Sequence, residues 1–217
     1  MLNKRLALIA ASAVTSALLL TACQGEDTAS DNVGGSGGSG THSPDGSGHE
    51  GGGAGAGGAG EWAGNKKDAA FFGSVLNGAN EVPVEGKAVG DKDGQGLALM
   101  RIQGDQVSYA FTFTGTETPT LGHLHQGAKG VNGDVKIPFF TERLADGSTF
   151  AHGTVTVKDH DLLEGIKTNP QNWYFNLHTD EFPGGAVRGQ AYKLPSGVQI
   201  PDHITADTLD SVVGSVQ

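Results

Sequence analysis

Along residues 106–114 apolar and polar side chains alternate without a break. Val107, Tyr109, Phe111 and Phe113 fall on one side, Ser108, Ala110, Thr112 and Thr114 on the other. A period of two over nine residues is the signature of a β-strand with one face turned to a core. The preceding Gly104-Asp105 pair is a turn signal, so residues 97–103 (LALMRIQ) form the other arm of a hairpin. The same short apolar or alternating runs recur at residues 71–76, 121–126, 134–140, 149–157, 173–179 and 186–194, with glycine-rich connections between them. Eight short strands at this spacing predict an all-β fold, an antiparallel Greek-key-like β-sandwich. One stretch departs from the pattern. Asp159 is a helix N-cap candidate ahead of Leu162, Leu163 and Ile166, and the run stops near Asn169-Pro170. It predicts one short crossover helix. Residues 195–217 read as a C-terminal tail, in which Thr205 to Val213 form either a short amphipathic helix or part of an unstructured end.

The N-terminal third has a different texture. Lys4 and Arg5 precede a mostly apolar run from Leu6 to Leu20, closed by Thr21-Ala22-Cys23. A basic start, about fifteen apolar or small residues and a small-residue cleavage site predict a secretory signal over residues 1–22. The LTAC ending resembles a bacterial lipobox, which implies that Cys23 becomes the acylated N-terminus and carries the chain on a lipid bilayer. Two or more acyl chains anchor stably where one does not. The lipobox implies a location in the cell envelope, facing the extracytoplasmic side. From Cys23 to residue 68 there is no apolar cluster, and residues 34–60 are largely Gly, Ser and Ala. That composition predicts a flexible tether, about 35–40 Å end to end for roughly 45 residues. The domain proper is therefore expected at residues 69–194.

Charge and cysteine content narrow the chemistry. The formal net charge is −10, and loss of Lys4 and Arg5 with the signal takes it to −12. An acidic chain poor in lysine is a poor nucleic-acid binder. Cys23 is the only cysteine, so the domain has neither a disulfide nor a thiolate ligand. Nucleophile elbows, phosphate loops, dinucleotide fingerprints and C-x-x-C pairs are absent from the sequence, and Asp91-Lys92-Asp93-Gly94 reads as a turn rather than a calcium loop. A non-enzymatic module is the expectation.

What stands out is histidine. Of eight, His42 and His49 lie in the tether, His152 and His160 at element edges and His203 in the tail. His123 and His125, two residues apart, share one face of the 121–126 strand, opposite Leu124. In the 173–179 strand Trp173, Phe175 and Leu177 share a face, so Tyr174, Asn176 and His178 point the other way. If Leu124 and Phe175 face the core, His123, His125 and His178 share the opposite surface. Two readings stay open. The trio ties loops together by hydrogen bonds, or it binds copper or zinc, the ions suited to imidazole without thiolate, with Asp180 or Glu181 as a possible oxygen donor. Arg188 fits an anion contact or, better, an internal ion pair with Glu81. Asn132-Gly133 carries the signature of a type I′ turn, and Gly184-Gly185 that of positive-φ positions after Pro183.

Three stretches together resemble a known family. Leu76 to Pro83 (LNGANEVP), Gly122 to Gly127 (GHLHQG) followed by Gly130-Val131-Asn132-Gly133, and Asn176-Leu177-His178-Thr179 with Pro183 to Gln190 (PGGAVRGQ) match, in order, the motifs of the CHRD domain. Ala186 stands where the family's closing motif usually has an acidic residue. The resemblance implies an immunoglobulin-like or superoxide-dismutase-like β-sandwich, and no established catalytic residues. His123, His125, His178 and Arg188 follow one another as in copper/zinc superoxide dismutases, but a counterpart of the zinc loop is lacking and the dismutase disulfide is impossible. The expected function is a membrane-anchored cell-envelope module that binds an extracytoplasmic protein, polymer or metal ion without catalysis; the alternative is a copper- or zinc-binding metalloprotein in metal handling or superoxide-dismutase-like redox defence through His123, His125 and His178. Glu81, Asn176 and Arg188 are the candidate structural or anion-contacting residues.

Overall fold

A computed structural model describes residues 68–214, together with the backbone of residues 55–56 and 60–61. The signal segment, Cys23 and most of the tether lie outside the described residues. Eight principal strands form: β3 (Ala70–Asn77), β4 (Gln95–Gln103), β5 (Gln106–Thr114), β6 (Leu121–Gln126), β7 (Val135–Phe140), β8 (Phe150–Thr156), β9 (Trp173–His178) and β10 (Val187–Gln190). Two-residue strands accompany them: β1 (Gly55–Ala56), β2 (Gly60–Glu61), β11 (Tyr192–Lys193) and β12 (His203–Ile204). The long sheet runs β1-β8-β5-β4-β3-β10-β9-β6-β7, antiparallel throughout. Its halves, β8-β5-β4-β3 and β10-β9-β6-β7, pack face to face. Between β3 and β10 a single register pair, Asn77 with Arg188, joins the two layers. The all-β sandwich expected from the alternation is thus one sheet, curled into a nearly closed barrel.

The alternating strand shows why the layers close. Val107, Tyr109, Phe111 and Phe113 are all buried. Phe111 meets Phe139 and Phe175 of the opposite layer edge-on, at centroid distances of 5.5 and 6.0 Å. Fully burying one such side chain contributes about 1.5–3 kcal/mol, and edge-to-face geometry is the preferred arrangement of the ring quadrupoles. At Gly104 φ is +59°, the left-handed conformation that the two-residue hairpin turn requires.

Helix α1 (His160–Thr168) crosses between β8 and β9. The Asp159 side chain accepts from Leu162 N at 2.9 Å, and Leu163 and Ile166 enter the main core. A second helix, α2 (Ala206–Gly214), forms in the tail. Leu209, Val212 and Val213 pack with Ile204 and Leu194 against Leu99, Ala110 and Phe150. The outer face of the first layer, where Ser108, Ala110 and Thr112 alternate with the core set, is covered instead of solvated. Ala110 has no exposed surface. The apolar residues at 209, 212 and 213 account for this, because the helical repeat brings them to one side.

Candidate metal centre

Strands β6 and β9 lie side by side, pairing Leu121 with His178, His123 with Asn176, Leu124 with Phe175 and His125 with Tyr174. Leu124 and Phe175, both completely buried, occupy the core face. His123, His125, Tyr174, Asn176 and His178 therefore stand together on the outer face of the second layer. Loops from three parts of the chain cover them. Those loops, residues 78–94, 127–134 and 179–186, carry most of the motif residues outside the strands.

The three imidazoles converge. One ring nitrogen from each of His123, His125 and His178 lies within 4.8 Å of the others, and each residue is 8% exposed. His125 Nδ1 is 2.9 Å from the Gly133 carbonyl, and His178 Nδ1 is 3.2 Å from that of Pro183. A carbonyl can only accept, so both Nδ1 atoms carry their protons and both Nε2 atoms present lone pairs. His178 Nε2 faces His123 Nδ1 at 3.2 Å, whereas His125 Nε2 is buried and without a partner. A backbone carbonyl behind a ligating imidazole is the usual device that sets its tautomer and aim.

Burial suppresses protonation of the trio. It is the largest cause pushing His123 down to about 3, helped by His178 and His125. His178 is pushed down to about 4, by burial against the opposing pull of its Pro183 bond, with His125 and Lys87 adding repulsion. Burial also lowers His125, more than its Gly133 bond raises it. Near neutral pH all three rings are uncharged, the form that coordinates metal.

The flanking residues form a buried polar layer. Arg188, 1% exposed, lies 3.4 Å above the Tyr174 ring, and Tyr174 stacks on His125 at 4.7 Å with planes 8° apart. The guanidinium donates to Asn132 Oδ1 at 3.0 Å and to the Ala128 and Val131 carbonyls at 3.3 and 2.7 Å. Asn132 in turn donates to the Val82 and Pro83 carbonyls, and Asn80 to that of Arg188. Gln190 donates to the Gly127 carbonyl at 2.7 Å. The three motifs are one network.

Glu81 lies in this layer without replacing those partners. It reaches Arg188 through its charge, and the Asn176 side chain and the Val82 backbone stabilise its carboxylate. Burial, opposed by Arg188 and these groups, pushes its carboxyl up to about 7. Arg188 thus divides its donors among loop acceptors, and Glu81 lies beside Asn176. Asp180 turns away, its Oδ2 taking a bond of 2.6 Å from Arg143, and Glu181 lies with Asp91 and Asp93 in a shallow cleft. At Asn132-Gly133 the turn falls earlier, with Gly130 at φ +78° and Val131 N bonded to the Ala128 carbonyl. Gly133 is needed for close approach, since a Cβ there would collide with the Gln126 carbonyl oxygen. Of the Gly184-Gly185 pair only Gly185 has a positive φ, +134°.

Tyr174 and the carbonyls of Gly133 and Pro183 are the parts that sequence reasoning missed. The strand alternation puts Tyr174 on the histidine face, but its contact with His125 depends on which strands are neighbours. The loop carbonyls leave no mark in residue type.

Fold and site together define an antiparallel β-sandwich with a polar, histidine-bearing layer buried beneath its loops. The family model described as the CHRD domain matches residues 72–191, and the chain belongs to that family. No curated protein and no solved structure matches the chain.

Proposed function

We propose that this chain is a cell-envelope lipoprotein, held to the membrane by acylated Cys23, whose CHRD domain is a binding module for copper or zinc. His123, His125 and His178 hold the ion. The tether keeps the module clear of the bilayer on the extracytoplasmic side. One observation carries the metal reading: three neutral imidazoles bring ring nitrogens within 4.8 Å of one another, and carbonyls behind two of them aim their lone pairs inward. Hydrogen bonding alone leaves His125 Nε2 buried without a partner, at a cost of about 1–3 kcal/mol; a metal ion would use that lone pair. A bound ion would supply Lewis acidity or, for copper, redox capacity. The protein's part is to exclude water, keep the rings unprotonated and fix their tautomers.

Elemental analysis of the purified full-length chain after copper or zinc loading tests this. The expected result is close to one ion per chain, lost when His125→Ala and His178→Ala are combined. Metal no higher than background in the unaltered chain removes the metal role and leaves a macromolecular partner as the module's ligand. The anchor is tested separately by mass spectrometry of the membrane-extracted protein. The expected N-terminal peptide starts at an acylated Cys23, and a free Cys23 thiol within an uncleaved chain excludes it.

A further inference from the structure

We infer that Asn176 is a fourth donor of this centre through its side-chain oxygen Oδ1, and that Glu81 is the positioning residue that turns that oxygen toward the histidines. The inference rests on the metal reading above and adds to it a ligand of a different type.

Position comes first. Asn176 is the cross-strand partner of His123, so their Cβ atoms stand about 4.5–5.5 Å apart on one face. On β9 itself Asn176 precedes His178 by two residues and therefore shares its face. Within the β6–β9 ladder it is flanked by ligand candidates on both strands, and it is 3% exposed.

Orientation comes second. The Asn176 side chain lies beside the Glu81 carboxylate and stabilises its charge. A carboxylate accepts, so the amide presents its NH2 to Glu81 and directs Oδ1 elsewhere. Glu81 is itself confined, because a Cβ on Gly185 would lie 2.6 Å from its Oε1. That explains the need for glycine at 185 as much as its φ of +134° does.

The third observation is an orphaned acceptor. Asn176 Oδ1 is buried and has no hydrogen-bond partner, and His125 Nε2 on the neighbouring strand shares that state. Buried polar atoms are rarely left unpaired, and an ion held between these two acceptors would satisfy both. Three imidazole nitrogens and one amide oxygen make a neutral four-donor set, suited to a borderline divalent ion such as Zn2+.

Zn2+ affinity is the readout, measured on the full chain by competition with a chromophoric chelator. Asn176→Ala is expected to bind Zn2+ at least about tenfold more weakly than the unaltered chain. The paired change Glu81→Gln with Asn176→Asp reverses that pairing, with the new amide donating to the new carboxylate. It keeps an oxygen facing the histidines and is expected to restore binding. A second measurement needs no variant: in chain labelled with 13C at asparagine, Zn2+ should displace the Asn176 Cγ signal more than those of Asn77, Asn80 and Asn132. Zn2+ bound equally well by Asn176→Ala, or an unmoved Asn176 Cγ, overturns the fourth donor while leaving the histidine site standing. Absence of Zn2+ binding in the unaltered chain overturns both.

Discussion

Both layers of the sandwich are covered on the outside, and the covers are opposite in kind. Over the first layer lie Leu209, Val212 and Val213 of α2, pressed on Leu99, Ala110 and Phe150. Over the second lie three polar loops, two held by Arg188, Asn132, Asn80 and Gln190 and the third by His178 and the Gly90 backbone. The apolar cover removes hydrocarbon from water and asks little of geometry beyond fit. The polar cover buries groups that would rather be hydrated, and each must find a partner or cost free energy. Nearly all do. The exceptions on the second layer include His125 Nε2 and Asn176 Oδ1, on the two strands that bring the histidines together. A buried layer that holds lone pairs without protein partners is poorly suited to stability alone and well suited to a ligand.

The comparison can be broken most directly at the apolar cover. Leu209→Ala should cost about 2–5 kcal/mol in chemical denaturation and leave metal content unchanged; a loss of metal together with stability would show the covers to be coupled. Arg188→Met attacks the polar cover. It strips Asn132 Oδ1 and two carbonyls of their donor, at about 1–3 kcal/mol for each group left unpaired. It should weaken metal binding as well, because the Tyr174–His125 stack loses its cation. An Arg188→Met protein of full stability and full metal content would reduce the network to decoration.

Titration sharpens the contrast within the polar layer. Glu81 has its folded value raised from 4.5 to about 7, so it binds its proton more tightly folded than unfolded. Its contribution is fully present below about pH 4.5 and is lost as pH rises through about 7. His123 and His178 have theirs lowered from 6.5 to about 3 and about 4. Their contribution is present above about pH 6.5 and is lost as pH falls toward those values. Melting the metal-free protein across pH 4–8 should show Glu81→Gln flattening the loss toward alkaline pH, and His125→Ala/His178→Ala flattening the loss toward acid. A Glu81→Gln profile parallel to that of the unaltered chain would mean that the carboxyl is solvated. The smallest effect belongs to Asp159→Ala, which removes the α1 cap and touches none of the histidine contacts. About 1 kcal/mol of stability should go, with no change in metal affinity.

Strand existence and facing were legible because a β-strand's side-chain period is short and local. The alternation at 106–114 located one wall of the core, and the same rule put His123, His125 and His178 opposite the apolar set of their strands. The N-cap at Asp159 and the helix after it were readable for the same reason. The pairing of Glu81 with Arg188 was readable only as proximity. Guanidinium donors go to whichever acceptors the folded loops present, and these proved to be Asn132 and two carbonyls. Asn132-Gly133 misled as a turn because the demand on Gly133 is steric, set by the Gln126 carbonyl brought near by folding.

By itself the sequence determined an all-β domain of eight main strands, the sides of those strands on which the histidines stand, and membership in the CHRD family through three ordered motifs. Only the tertiary structure decided that β6 and β9 are neighbours, since their pairing spans about fifty residues of chain and no local pattern encodes it. The same holds for the carbonyls that aim His125 and His178, the Tyr174 ring beneath Arg188, and the tail helix sealing the other face. Backbone carbonyls are common to every residue type, so their placement becomes visible only once distant segments have packed.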